Sequence, residues 1–247
     1  MKNFSAVSIL FLFSLCVFAQ QKDPPFYSPK GSVWADSILK KISLEEKIGQ
    51  LFMAAAWSNK DTAHINEIKK QITDNHIGGL IFFQGRSVRQ AVLTNEYQKL
   101  SSIPLLIGMD AEYGLSMRID STIRFPRQMT LSATGNDSSA YFMADEIARE
   151  CNRLGVHINF APDADINSNP LNPVIGSRSF SDDATSVTKR SLLYANGLQN
   201  KNVLACAKHF PGQGDTDTDS HLALPVIYKN KAQLDSLELI PFRKLIR

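Results

Sequence analysis

Between residues 33 and 247, short apolar runs alternate with stretches in which apolar residues return every three or four positions. The runs are residues 51–56, 79–83, 105–109, 156–160 and 203–207. Their length and lack of polar interruption predict strands buried on both faces. Between them, Ile65, Ile68 and Ile72 share one helical face. Ala140, Met143, Ala144, Ile147, Ala148, Cys151 and Leu154 form a longer apolar stripe of the same period, with Gly155 as its stop. Ser43-Leu44-Glu45-Glu46 reads as a capping box. Asp183 caps a further helix that turns Val187, Tyr194, Ala195 and Leu198 inward, and a last helical pattern covers residues 234–247.

Strands that alternate with helices pair in parallel, because a parallel return needs a crossover. A doubly wound sheet and a (β/α)₈ barrel both satisfy this rule. The dinucleotide-binding version of the first expects G-x-G-x-x-G after an early strand, and no strand here leads into it. The strands lead instead into charged residues: Asp110-Ala111-Glu112 after the third, Asp163-Ala164-Asp165 after the fourth, Lys208-His209 after the fifth. Charged groups at one end of several strands are the pattern of a barrel active site. The fold class expected is therefore α/β, a TIM-like (β/α) barrel. It is expected to be incomplete in this chain, with about five to six of the eight units of that fold. The chain is read as truncated after Arg247.

The first residues are set apart. Lys2 precedes an apolar run over residues 6–19, shorter than the roughly 20 residues a membrane-spanning helix needs. Val17-Phe18-Ala19 has small side chains at −3 and −1, so residues 1–19 are expected to be a signal peptide cleaved after Ala19. The alternatives are an uncleaved anchor and a lipid on Cys16. Residues 20–32, rich in Pro and polar residues, read as an exposed lead-in, leaving 33–247 as the folded domain. Cys151 and Cys206 remain after cleavage and are expected to be two separately buried thiols. Lys+Arg 27 against Asp+Glu 24 gives +3, with no basic block, so no nucleic-acid partner is expected. A hydrophobic share of 43% allows one globular domain, and an ordinary charged share of 21% excludes disorder.

Chemistry concentrates in residues 206–225, a strand running into a Pro-Gly loop with several acids and a second histidine. A calcium loop counted from Asp215 fails, since Ser220 and Val226 occupy the positions that need Gly and Glu. A transition-metal site on His209, His221 and the acids matches no standard zinc spacing. In a third reading, Asp219 and His221 are two residues apart and share a side if the loop is extended. A carboxylate so placed orients an imidazole for proton transfer. On the residues alone, a turn-stabilising Asp and a surface His remain an equal alternative.

The stretch KHFPGQGDTDTDSHLALP resembles glycoside hydrolase family 3, in its β-N-acetylglucosaminidase branch. In the same order come SLEEKIGQLF, IGGLIFF, MDAEYG with Arg118 just beyond it, NFAPDADIN and IGSRSF, so the resemblance spans residues 33–247. It implies a TIM-like barrel and a retaining exo-glycosidase that removes terminal N-acetylglucosamine from glycans such as peptidoglycan fragments. His221 would be the general acid/base, oriented by Asp219. Asp110, Arg118, Arg178, Lys208 and His209 would hold the sugar. Asp163 and Asp165 would shape the site from behind, and Glu112 is a weaker candidate. More local roles stand beside these: Asp110 as a cap, Lys208 and His209 satisfying loop carbonyls, Arg178 paired with Asp163, Asp165 or Asp182.

Gln213 stands where the family usually has histidine, which is expected to alter loop packing. The family's nucleophilic Asp is expected beyond residue 247, which would leave this chain alone inactive and poorly stable. Neither a metal nor an organic cofactor is implied. The partners expected are an oligosaccharide or muropeptide substrate, no membrane span after signal cleavage, and a C-terminal domain in the full-length protein. The location expected is periplasmic or extracellular. The competing functions are a β-glucosidase-like exo-hydrolase of the same family and a catalytically inactive carbohydrate-binding barrel.

Overall fold

The computed structural model describes residues 28–218 and 222–246. The expected leader and the Asp219/His221 pair lie outside the described residues. Two helices come first, α1 (Pro29–Leu39) and α2 (Leu44–Gly49). Next come β1 (Met53–Ala56), α3 (Thr62–Asp74), β2 (Gly79–Phe82), β3 (Gly85–Arg86), α4 (Ser87–Leu100), β4 (Leu106–Met109) and β5 (Ile119–Asp120). The remainder is α5 (Gln128–Ser132), α6 (Ser138–Arg153), β6 (Ile158–Asn159), α7 (Ala184–Gln199), β7 (Leu204–Ala205), α8 (Lys231–Ser236) and α9 (Leu239–Leu245).

Five strands form one parallel sheet in the order β1-β2-β4-β6-β7. The spatial order repeats the chain order, so every crossover steps the same way and, with right-handed connections, carries its helix to the same face. A doubly wound sheet reverses direction at its switch point and covers both faces. The fold is thus an α/β one, the open part of a TIM-like barrel, and its sheet keeps two edges among the described residues.

That geometry corrects the expectation of strands buried on both faces. Leu80, Phe82, Ile107 and Met109 are fully buried on the helix side. On the other side Met53 and Ile81 are only half-buried, and Leu106 is exposed. This concave side is lined by small residues: a Cβ on Gly108 would lie 2.8 Å from the Phe160 ring and 3.3 Å from the Met53 sulfur. Half-buried Ile81 and exposed Leu106 sit next to fully buried neighbours, because the concave side faces the hollow of an unclosed sheet.

Other departures have local causes. The lead-in assigned to residues 20–32 ends inside α1, where Pro sits at the helix start and the Ser28 hydroxyl accepts the Gly31 N–H at 3.0 Å. Leu51 and Phe52, expected in a strand, are exposed residues between α2 and β1. β6 and β7 are only two residues long, and Pro162, which cannot donate to a ladder, lies just beyond β6. The last helical pattern divides into α8 and α9 around Leu237. Helix α4 was not anticipated, since its buried face mixes Gln90 and Thr94 with Leu93 and Tyr97.

The Ser43 capping box, the Asp183 cap and the buried stripe of α6 are all present. Gly155 closes α6 at φ +69°. Cys151 and Cys206 are free thiols, Cys151 buried as expected but Cys206 only half-buried, beyond the end of its short strand. Burial pushes the Cys151 thiol up to about 12. No helix of the described residues is long and apolar enough to cross a membrane.

Candidate functional site

Parallel strands end on one side, so the polar residues just past β4, β6 and β7 share a rim. The Ala111 backbone is held there by Asn159 of β6, whose side-chain oxygen accepts the Ala111 N–H at 3.0 Å while its amide donates to the Ala111 carbonyl at 3.1 Å. The Glu112 carbonyl accepts from Gln128 at 2.8 Å and from the Tyr194 hydroxyl at 2.9 Å. Through these buried side chains, β6, α5 and α7 fix the turn that presents Asp110 and Glu112. Asn159, Gln128 and Tyr194 were missed as site residues. The only trace of them in the sequence is a lone Asn or Gln in an apolar setting.

Two linked groups occupy the rim. In the first, the Lys208 ammonium lies 2.8 Å from Asp110 Oδ1 and 2.7 Å from Glu112 Oε1. Arg118 Nη2 donates to Asp110 Oδ2 at 3.2 Å. Arg118 arrives there because β3 and β5 pair in parallel, joining the loop after β2 to the loop after β4. Its guanidinium lies 4.9 Å from the centre of the Phe83 ring, which stacks on Trp57.

In the second group, Arg178 makes a two-pronged contact with Glu112, Nε to Oε2 at 3.0 Å and Nη2 to Oε1 at 2.8 Å. Its Nη2 also reaches His209 Nε2 at 3.1 Å. The His209 Nδ1 lies 2.6 Å from Asp165 Oδ2, and the His209 backbone N–H donates to the same oxygen at 3.1 Å. Asp165 Oδ1 accepts the Gln213 N–H at 2.6 Å, tying the Pro-Gly loop to the end of β6. Gln213 is buried and its carbonyl accepts from Asn172 at 2.7 Å.

Asp110, Arg118, Arg178, Lys208 and His209 are therefore brought together. The local roles weighed for them are largely replaced by side-chain pairing. Arg178 pairs mainly with Glu112, with Asp163 at 3.7 Å as a distant second. Glu112, ranked low from the sequence, is the residue that joins the two groups.

Burial alone would raise the Glu112 carboxyl, but hydrogen bonds and charge from Arg178 and Lys208 outweigh it and hold the group at about 2. Asp163 behaves oppositely. Complete burial, then the charges of Asp165 and Glu112, push it well above the usual carboxylate range against the pull of Arg178.

Asp163, Asp165 and His209 have ligand-type atoms within 4.8 Å of one another. Arg178 stands 3.7 Å from Asp163 and 3.1 Å from His209, so a metal cation would be repelled, and the three are read as a hydrogen-bonded group. A hollow of about 910 Å³ lies elsewhere, between α2, α3 and the edge of β1.

Residues 43–247 match the family model described as "Glycosyl hydrolase family 3 N terminal domain". The chain belongs to glycosyl hydrolase family 3. It is 38% identical over 194 residues to a β-hexosaminidase A of Pseudoalteromonas piscicida, covering 73% of this chain and 32% of that protein. A protein of Cellulomonas fimi named β-N-acetylglucosaminidase/β-glucosidase is 30% identical, over 79% of this chain and 34% of its own length. The chain thus spans about a third of the length of these curated relatives. Among solved structures, a family 3 β-N-acetylglucosaminidase from Paenibacillus sp. str. FPU-7 superposes with a TM-score of 0.76 at 39% identity, over 83% of this chain and 40% of that one.

Proposed function

We propose that the full-length protein is a retaining exo-glycosidase that releases terminal β-linked N-acetylglucosamine from oligosaccharides such as peptidoglycan fragments. The observation that carries this reading is the convergence of Asp110, Arg118, Lys208, Arg178 and His209 on the rim where β4, β6 and β7 end. A hydroxylated ring meets both donors and acceptors there. Asp110 accepts from sugar hydroxyls, Lys208 and Arg118 donate, and Glu112 keeps the cations in place. Relatives named for N-acetylhexosamine hydrolysis support the choice of sugar.

The proton steps are assigned to His221, oriented by Asp219. The imidazolium gives its proton to the glycosidic oxygen as the bond to the anomeric carbon breaks. A carboxylate assigned beyond residue 247 takes that carbon as an ester. His221 then removes a proton from water, which attacks the anomeric carbon and releases the sugar and the carboxylate. Export after cleavage at Ala19 belongs to the same proposal, and N-terminal sequencing of the mature protein should begin at Gln20.

The full-length protein should hydrolyse a nitrophenyl β-N-acetylglucosaminide much faster than the nitrophenyl β-glucoside. Turnover of the glucoside alone rejects the assigned sugar, and turnover of neither favours a binding barrel without catalysis. His221→Ala should slow poor leaving groups far more than activated ones.

A further inference from the structure

The rim holds the carboxyls of Asp110, Glu112, Asp163 and Asp165 against the permanent cations Arg118, Arg178 and Lys208. Asp110 faces Arg118 and Lys208, and Glu112 faces Arg178 and Lys208. Asp165 accepts from the His209 backbone N–H, the Gln213 N–H and the imidazole. Asp163 is left over. Its Oδ1 accepts only the Asp165 N–H at 3.0 Å, and its buried Oδ2 has no partner. Arg178 Nε at 3.7 Å and His209 Nδ1 at 4.0 Å are both too distant to bond it.

His209 does not supply the missing positive charge. Its Nε2 faces Arg178 Nη2 at 3.1 Å, and a guanidinium only donates. Nε2 therefore carries a lone pair, and the ring proton sits on Nδ1, toward Asp165. An ionised Asp163 would then be a buried charge with one hydrogen bond, an arrangement that real sites avoid by taking up a proton.

We propose that Asp163 is a neutral carboxylic acid at neutral pH and serves as a positioning residue, its proton leaving Arg178 on Glu112 and His209 Nε2. The groups facing it agree. Glu112 after β4 and Asp165 after β6 disfavour a second negative charge, while only the Asp165 N–H and Arg178, itself already engaged by Glu112, oppose them. Lys208, paired with the Asp163 backbone in an isolated bridge, directs its ammonium to Asp110 and Glu112. If Asp163 gave up its proton to solvent, its charge would draw the Arg178 guanidinium, 3.7 Å away, off Glu112 and His209.

The role in sugar holding rests on the reading of this rim as a sugar site; the charge assignment does not. The infrared spectrum of the full-length protein at pH 7 should contain the C=O stretch of a protonated carboxylic acid, lost in Asp163→Asn. Nitrogen NMR of the ring should show His209 as the neutral Nδ1–H tautomer. Absence of the band, its survival in Asp163→Asn, or an imidazolium spectrum overturns the proposal. If the variant does not fold, carboxyl carbon NMR of the unaltered chain decides instead, since one Asp should keep the shift of an acid at pH 7.

The positioning role has its own readout. N-acetylglucosamine affinity should fall as pH rises through the titration of that acid, and should stay flat over the same range in Asp163→Asn. Parallel pH profiles overturn the role. Absence of sugar binding in both proteins speaks against the sugar-site reading alone, with the spectra still deciding the proton.

Discussion

Glu112 and Lys208 show how little charge alone says about a residue. Lys208 is a compact cation between two carboxylates, Asp110 and Glu112, that enter the chain 98 and 96 residues earlier, whereas Arg178 reads Glu112 through a planar fork. Glu112→Gln keeps the shape but leaves Arg178 and Lys208 short of a counter-charge in a buried place. It should destabilise the chain by about 3–5 kcal/mol, measured as a lower urea midpoint. Lys208→Ala should abolish N-acetylglucosamine binding, read by calorimetry. Lys208→Arg should not restore it, because a guanidinium is larger than an ammonium and its donors are fixed in one plane. Retained binding in Lys208→Ala would remove this lysine from the site.

At the scale of elements, the helix layer is sensitive where small residues let backbones meet. A Cβ on Gly197 of α7 would lie 2.5 Å from the Tyr141 carbonyl of α6. Gly197→Ala should therefore cost about 1–3 kcal/mol despite its better helix propensity, seen as a drop in thermal midpoint. An unchanged midpoint would mean that the two helices separate at little cost.

Elements also differ in how well they can be read in advance. Helix α6 was legible because Ala140, Met143, Ala144, Ile147 and Cys151 leave an apolar stripe that only one face of a helix can bury. Helix α4 was not, because packing accepts Gln90 and Thr94 on its inner face. The centres of all five strands of the main sheet were placed correctly, but their ends were not, and the short β3/β5 pair was not anticipated. Hydrophobicity continues past the last ladder bond, and only the neighbouring strand decides where pairing stops.

For the whole molecule, the two perturbed carboxyls act at opposite ends of the pH scale. Glu112, ordinarily near 4.5, is held at about 2 in the folded chain, so its contribution is full above the higher value and lost as pH falls toward the lower. The contribution is worth ~3 kcal/mol. Asp163 is raised from 3.8, so its protonated state favours folding below that value and the advantage is lost as pH rises through the higher folded value. Stability from this pair should therefore peak near about pH 4. Asp163→Asn removes the alkaline-side loss and should be more stable than the parent at pH 7. Urea midpoints of parent and variant across pH would show this, and a variant weaker at pH 7 would contradict it.

Periodicity alone determined most element types, and parallel pairing came from their alternation. The placement of acids and bases at strand ends, with the ordered motifs around them, pointed to the family before any coordinates. Only the tertiary structure supplied the strand order that bears out the barrel sheet expected from the charged strand ends, because strand order is a long-range property. It also decided which carboxyl meets which cation. Arg178 and Glu112 are separated by 66 residues, and nothing local distinguishes Glu112 from Asp163, Asp165 or Asp182 as its partner. Only the shared end of parallel strands brings them within reach, and only burial there makes one of four carboxyls the odd one out.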